Sequence, residues 1–306
     1  MNAYAKYFQP DVLGKISRLE LRARHVVEGF VSGMHRSPYK GFSVEFASHR
    51  PYAPGDDIRH IDWRVFGKAD RFFIKEYEEE TNMRVHLVLD CSGSMAYPEH
   101  AGTERMTKWT YAATVAASLA HLLIHQQDAV GLSLFDNELR RQLPVSTNRL
   151  SMRDIAGTIE STSPRDVTGV KAVFPRLAGS VPRRGMVVII SDLLMNVDDL
   201  IQGLQRFRYA RHDVIVLHVL DRDEIEFPFV DRTLFEGMEQ VGQELLTDPQ
   251  TLRGAYLDAL GGFLRRVRGA CLNLRVDYAL LSTADGLDVA LSTFLAARMH
   301  RQKARA

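Results

Sequence analysis

The alternation of short apolar runs with segments of helical periodicity constrains the fold of this 306-residue chain more than any other feature. Five runs have the length and composition of buried strands, at residues 85–89, 130–135, 186–190, 214–220 and 274–281. Segments with helical spacing lie at residues 106–125, 150–161, 170–178, 197–209, 249–267 and 287–299. Strands that alternate with helices predict an α/β fold, a mainly parallel sheet with helices on both faces.

Two further regions depart from this alternation. The connection after the second strand is too short for a crossover helix, so residues 137–145 predict one antiparallel edge strand. Upstream, residues 13–34 predict a helix, and extended pieces follow at 42–46, 58–66 and 72–77 between turn-forming prolines and glycines. We therefore expect residues 1–82 to form an N-terminal helix with a small β-rich subdomain, and residues 83–306 to form the α/β domain.

Composition narrows the class of partner and the expected location. Thirty-nine basic residues face thirty-eight acidic ones, and this near-neutral charge disfavours a nucleic-acid role. The two cysteines, Cys91 and Cys271, are too few and too far apart for a disulfide framework, which favours a reducing compartment. No apolar run approaches the roughly 18 residues of a membrane span, and the N-terminus lacks a signal-peptide pattern. The sequence thus predicts a cytoplasmic protein without a membrane span, and leaves its oligomeric state open.

Oxygen-bearing side chains stand at three places where predicted strands end or helices begin. Asp90-Cys91-Ser92-Gly93-Ser94 directly follows the first strand, and Ser191-Asp192 directly follows the third. The loop at residues 161–169 adds Thr162, Ser163 and Thr168. Ligands of such sheets bind outside the carboxyl ends of the strands, so these side chains are the candidate binding residues.

This pattern resembles the metal-ion-dependent adhesion site of von Willebrand A domains. The resemblance implies that Ser92, Ser94 and Thr168 contact a cation through hydroxyl oxygens, while Asp90 and Asp192 hold it largely through water. Mg²⁺ suits such oxygen ligands and keeps several waters, and Mn²⁺ or Ca²⁺ also accept them. Neutral hydroxyl ligands leave the ion electrophilic, so that its open position can take a carboxylate of a partner. Because Val167 stands where many of these domains have glycine, Thr162 and Ser163 remain alternatives to Thr168.

Motifs upstream carry a second resemblance. The segments His49-Arg50-Pro51-Tyr52, Pro54-Gly55-Asp56-Asp57-Ile58-Arg59 and Ile61-Asp62-Trp63 are similar to the signature of the domain-of-unknown-function 58 (DUF58) family. Its members join a small β region to a von Willebrand A-like domain and are commonly associated with MoxR-type AAA+ ATPases. Together the resemblances span roughly residues 13–299. They imply a metal-dependent protein-binding module, an adaptor or co-chaperone whose partner is a MoxR-type ATPase or its client.

Two other functions compete with this interpretation. A metal-dependent phosphatase or other hydrolase could use the same strand-end site, since an aspartate after the first strand also begins the haloacid-dehalogenase motif. That chemistry needs a second aspartate as general acid where this chain has Ser92, and no Gly-x-Ser-x-Gly elbow surrounds the serine, so we expect no enzyme and no catalytic residues. The third possibility is a structural interaction protein whose metal site is not used, for which Asp90→Ala would leave partner binding unchanged.

Overall fold

A computed structural model of the chain describes residues 45–53, 61–69, 71–78, 83–98, 105–148, 151–181, 184–239, 242 and 244–287. The helix predicted at residues 13–34 and nearly all of the helix predicted at 287–299 lie outside these ranges. The predicted boundary between residues 82 and 83 adjoins residues 79–82, which also lie outside them. The two-part division therefore remains a prediction.

The N-terminal part of the described chain is a two-stranded antiparallel sheet with one helix. Strand β1 (Glu45–Pro51) pairs with β2 (Phe73–Glu78), and helix α1 (Trp63–Ala69) lies between them in sequence. The extended conformation predicted for residues 58–66 is therefore wrong from Trp63 onward. Buried Asp62 explains the difference, because its carboxylate lies 3.4 Å from the amide nitrogen of Val65 and accepts its N–H as a helix N-cap does.

The rest of the described chain alternates strands and helices. After β3 (Arg84–Asp90) comes a short 3₁₀ turn at Gly93–Ala96. The elements that follow are α2 (Lys108–His125), β4 (Ala129–Phe135), β5 (Leu139–Ser146), α3 (Ser151–Glu160), α4 (Val170–Ser180), β6 (Met186–Ser191), α5 (Val197–Tyr209), β7 (Asp213–Leu220), α6 (Arg222–Glu226), β8 (Thr233–Glu236), β9 (Glu244–Thr247), α7 (Pro249–Asn273) and β10 (Asp277–Ser282).

Six of these strands form one sheet in the order β10-β7-β6-β3-β4-β5. Its strands are parallel except for β5, which pairs antiparallel with β4 at the edge. The predicted α/β fold and its antiparallel edge strand are confirmed. Strands β3 and β6 are neighbours at the centre, with Leu89 opposite Ile190. The polar residues that follow these two strands therefore emerge side by side.

Both faces of the sheet are covered. Helices α2 and α3 pack on one face against side chains such as Leu87 and Leu89. Helices α4, α5 and α7 pack on the other face against side chains such as Val88 and Ile189. Burial from both sides explains why the central strands read as continuous apolar runs rather than as alternating ones. Buried polar residues inside these strands are His86, Ser133 and His218, while Asp90 and Ser191 stand at the carboxyl ends of β3 and β6.

A hairpin between β7 and α7 has no counterpart among the predicted elements. Strands β8 and β9, hereafter the 233–247 hairpin, pair with each other and with no other strand among the described residues. A lone two-stranded hairpin is marginally stable in water, so its position depends on packing. Aromatic rings supply that packing: Phe235 of β8 stacks on Phe227, which in turn packs on Tyr256 of α7.

Candidate metal site

The site begins with Asp90 at the carboxyl end of β3. One oxygen of its carboxylate accepts the backbone N–H of Ser92 at 2.9 Å, and the other accepts the hydroxyl of Ser191 at the end of β6. The side chain of Asp90 is fully buried. The parallel register of β3 and β6 therefore joins the two predicted motifs directly, through a bond between Ser191 and Asp90.

Ser92 and Ser94 place two hydroxyl oxygens beside this carboxylate. Their Oγ atoms lie 3.1 Å apart, and both residues are buried. Ser92 precedes the 3₁₀ turn Gly93–Ala96, where a serine commonly caps the backbone, yet its side chain makes no capping bond. The two hydroxyls are thus held close together without serving as helix caps.

The second predicted loop packs directly on this motif. The amide of Gly93 donates to the carbonyl of Asp166 at 2.8 Å, and the amide of Arg165 donates to the carbonyl of Cys91 at 3.0 Å. Nearby Thr168 is buried, whereas the hydroxyl of Thr162 donates to the carbonyl of Thr158 in α3. The structure therefore brings the loop of Thr168 against Gly93, while the choice of Thr168 as the metal ligand remains a prediction.

The third motif is bound to a buried lysine. The ammonium group of Lys108, the first residue of α2, lies 2.7 Å from Oδ2 of Asp192 and 2.6 Å from Oε1 of Glu224. The side chains of Lys108 and Asp192 are both completely inaccessible to solvent. Glu224 is fixed from its other side, because its second oxygen accepts the amide of Asp221 within the capping box of α6. Lys108 thus joins Asp192 and Glu224 in a largely buried ion-pair cluster beside the site.

Burial and charge act in opposite directions on these carboxyl groups. Burial, and then the charge of Asp192, raises the pKa of Asp90 to about 7. Burial would also raise the pKa of Asp192, but the ammonium of Lys108 outweighs it and holds that pKa below its usual value. The pKa of Glu224 is raised, since burial outweighs the attraction of Lys108. The carboxyl group that lacks a hydrogen-bonded cation, Asp90, is therefore the one most penalised when ionised.

The charges of this cluster suit a divalent cation. The carboxylates of Asp90, Asp192 and Glu224 and that of Glu239 beside Thr168 would together carry a charge of −4 when ionised, and Lys108 contributes +1, leaving −3. Among the described residues no three His, Cys, Asp or Glu side chains converge as a ligand set, so a cation here would need the hydroxyls. The buried hydroxyl pair and the unbalanced carboxylate therefore fit a hard, oxygen-seeking ion such as Mg²⁺.

The contacts of Cys91, Ser92 and Ser94 give little support to a nucleophile at this site. Burial raises the pKa of Cys91 to about 12, and its Sγ donates to the carbonyl of Phe135, so the thiol is neutral. Across the part of the chain that the structure describes, no hydrogen bond joins Ser92 or Ser94 to a histidine. A serine nucleophile activated by histidine therefore has no basis in these contacts.

Sequence reasoning missed three residues that the structure adds to the site: Lys108, Glu224 and Glu239. Lys108 carried a faint signal, since a cation at the first position of a helix opposes the helix dipole and needs a compensating partner. Glu239 carried none. It follows β8, far from the motifs in sequence, and its carboxylate accepts the hydroxyl of Thr168 at 2.8 Å.

Comparison with known proteins identifies the family. The family described as "Protein of unknown function DUF58" matches residues 48–260, more than half of the chain. The chain belongs to the DUF58 family. Uncharacterized proteins of Mycobacterium bovis and Mycobacterium tuberculosis are each 28% identical to it over 280 residues, covering 88% of this chain and 86% of theirs. The resemblance predicted from the upstream motifs is confirmed at the level of the family.

Solved structures similar to this DUF58 chain include membrane-associated proteins and von Willebrand A domains. An aerotolerance-related membrane protein from Bacteroides fragilis is 16% identical, with a TM-score of 0.45 over 72% of this chain and 99% of its own. The VWA domain of SpRpn10 is 10% identical, with a TM-score of 0.39 over 69% of this chain and 94% of its own.

The cytoplasmic location predicted from the sequence is corrected by the membrane protein among these structures. The prediction rested on the lack of an apolar run and of a signal peptide. That reasoning is insufficient, because neither absence in the sequence excludes a location at a membrane. Within the described residues, no helix is both long enough and apolar enough to cross a bilayer.

Proposed function

We propose that this DUF58 chain is a metal-dependent protein-binding module that takes an Asp or Glu side chain of its partner through a bound Mg²⁺. One observation carries the proposal. Two buried serine hydroxyls stand 3.1 Å apart beside the buried carboxylate of Asp90, which has no cation hydrogen-bonded to it among the described residues. A von Willebrand A-like fold supports a role in protein interaction, and we propose in addition that this interaction depends on a metal.

In this mechanism the neutral and the charged side chains have different roles. Ser92, Ser94 and Thr168 would contact the ion through neutral oxygens, and Asp90 and Asp192 would hold it through water. The bound ion supplies a positive centre to which a carboxylate of the partner can attach. Lys108 orients Asp192 with a hydrogen bond of 2.7 Å, and the hydroxyl of Ser191 orients Asp90. Water would thus separate the carboxylates of Asp90 and Asp192 from the ion, and the ion would keep its attraction for a carboxylate of the partner.

The partner that we propose is a MoxR-type AAA+ ATPase, or a client that the ATPase remodels. This part rests on the association that is common in the DUF58 family. The chain would then act as an adaptor or co-chaperone, and the exposed acidic side chain that it binds would belong to the ATPase or the client. Fold and family support an interaction role in general, and the choice of this partner needs its own test.

The test measures binding of the full chain to a MoxR-type ATPase from the same organism, in Mg²⁺ and in EDTA. We expect binding in Mg²⁺ alone, and loss of binding in a Ser92→Ala, Ser94→Ala double variant whose circular dichroism is unchanged. Ser161→Ala is the control, because Ser161 is an exposed hydroxyl of the second loop. Binding that ignores both EDTA and the serines would refute the metal mechanism. A chain that binds Mg²⁺ but no MoxR-type ATPase would refute only the choice of partner.

A further inference from the structure

We infer that Glu239 is an internal ligand of the metal site, which a partner's carboxylate must displace. This inference rests on the proposed function and adds a form of regulation to it. Glu239 follows β8, and its carboxylate accepts the hydroxyl of Thr168 at 2.8 Å. The chain thus places one of its own carboxylates, the chemical group expected from a partner, at a hydroxyl that is a predicted metal ligand.

A second contact holds the same segment against the site. A Cβ atom added to Gly93 would lie 2.5 Å from the carbonyl oxygen of Met238, the residue before Glu239. Such a distance is shorter than real side chains allow, so Met238 is packed directly on the glycine between the two serines of the metal motif. Two successive residues therefore contact the site, Met238 through its carbonyl and Glu239 through its carboxylate.

The hairpin that carries these residues is suited to displacement. Its strands pair with each other and with no other described strand, and Phe235 of β8 anchors it by stacking on Phe227. Three leucines of the hairpin are about half-exposed: Leu234 at 47%, Leu245 at 54% and Leu246 at 56%. Little apolar area is thus buried to hold these two strands down, so the strands and Glu239 can move away from the site at a small cost in free energy.

An internal carboxylate sets a threshold for the partner. A group tethered to the same chain competes at an effective concentration on the order of millimolar. An isolated carboxylate in solution would compete poorly against it, whereas a partner that places its acidic side chain by additional contacts would succeed. The exchange therefore favours a protein partner with an acidic residue on an exposed loop over small carboxylic acids.

The experiment uses Mn²⁺ as a paramagnetic probe and ¹³C-labelled acetate as the carboxylate, with the full chain. Mn²⁺ affinity is measured by calorimetry, and acetate in contact with the ion is measured by its enhanced ¹³C relaxation. Glu239→Gln removes the charge and keeps the size of the side chain. Glu236→Gln is the matched control, because Glu236 is an exposed acidic residue of the same hairpin.

We expect Glu239→Gln to weaken Mn²⁺ binding by about tenfold, the lower end of losses seen when partners of metal ligands are removed. We also expect a several-fold rise in acetate relaxation for this variant, with the Glu236→Gln control matching the wild type. Equal metal affinity and equal acetate relaxation in all three proteins would overturn the inference and leave the metal site standing. Weaker Mn²⁺ binding with unchanged acetate relaxation would overturn the proposed exchange of Glu239 for a carboxylate of the partner. A wild-type chain that binds no Mn²⁺ would overturn the proposed function and this inference together.

Discussion

The ammonium group of Lys108 lies 2.7 Å from the carboxylate of Asp192, and neither side chain is accessible to solvent. Leaving either charge buried without its partner is costly, because a buried ion cannot be stabilised by water. The pair therefore holds Asp192 ionised and oriented at the strand end. It also ties the first turn of α2 to the end of β6, and so links one covering helix to the site.

Replacing Lys108 with methionine should destabilise the protein by about 3–5 kcal/mol, since it leaves the carboxylate of Asp192 buried without its cation. The free energy of unfolding in urea measures this loss. Lys171→Met is the control, because Lys171 is an exposed residue of α4 and its change should have little effect. Mg²⁺ should restore more stability to the Lys108 variant than to the wild type, since the variant site carries one more negative charge. Equal stabilities of the two methionine variants would contradict a structural role for this ion pair.

Mg²⁺ should stabilise the wild-type chain by about 2.7 kcal/mol at one hundred times its dissociation constant, as for any ligand that binds only the folded state. Thermal unfolding with and without Mg²⁺ measures the effect. The Ser92→Ala, Ser94→Ala variant should lose it, because the two hydroxyls are the first predicted ligands. Ser161→Ala should keep it. A double variant stabilised as much as the wild type would show that the ion binds elsewhere.

The stability of the metal-free protein should fall as the pH rises through about 7. The pKa of Asp90 is about 7 in the folded chain, against 3.8 for an ordinary aspartate, so between these values the folded chain retains a proton that the unfolded chain has lost. Its contribution is fully present below pH 3.8 and is lost as the pH passes about 7. Between pH 5 and pH 8 this loss amounts to about 3 kcal/mol.

Urea unfolding in EDTA, compared between the wild type and Asp90→Asn, isolates this contribution of Asp90. The asparagine side chain keeps the shape of Asp90 but does not titrate, so subtracting its curve removes the contributions of other groups, such as Asp128, whose pKa is also raised by burial. The free energy of unfolding of the wild type, relative to that of Asp90→Asn, should fall steadily as the pH rises. Parallel curves would mean that Asp90 titrates normally.

Gly93→Ala should destabilise the protein by about 1–3 kcal/mol, because the new methyl group would lie 2.5 Å from the carbonyl oxygen of Met238. Hydrogen exchange should show the loss concentrated in the 233–247 hairpin. Gly254→Ala is the control: nothing lies within 4 Å of its added Cβ, and alanine in the helix interior should stabilise by up to about 1 kcal/mol. Unchanged exchange in the hairpin of the Gly93 variant would argue against direct packing of Met238 on the site.

Local sequence patterns predicted most of the central sheet, because its strands are buried on both faces and its helices on one. The apolar run at residues 186–190 of β6 predicts a strand from local sequence alone, since every side chain in it must be shielded from water. The same patterns predict an extended piece at residues 58–66, whereas the structure has a helix at Trp63–Ala69. The start of this helix depends on the carboxylate of Asp62, which accepts the N–H of Val65, and hydrophobic periodicity does not encode that contact.

The sequence by itself determined the α/β fold, the family, and the strand ends at which Asp90 and Asp192 stand, since these follow from local burial patterns and short motifs. Only the tertiary structure decided which distant groups meet them there. Lys108 joins Asp192 across 84 positions of the chain, and Glu239 joins Thr168 across 71. Such pairs have no local signature, because each is a charged or polar residue compatible with a solvated surface until folding removes water from between the partners.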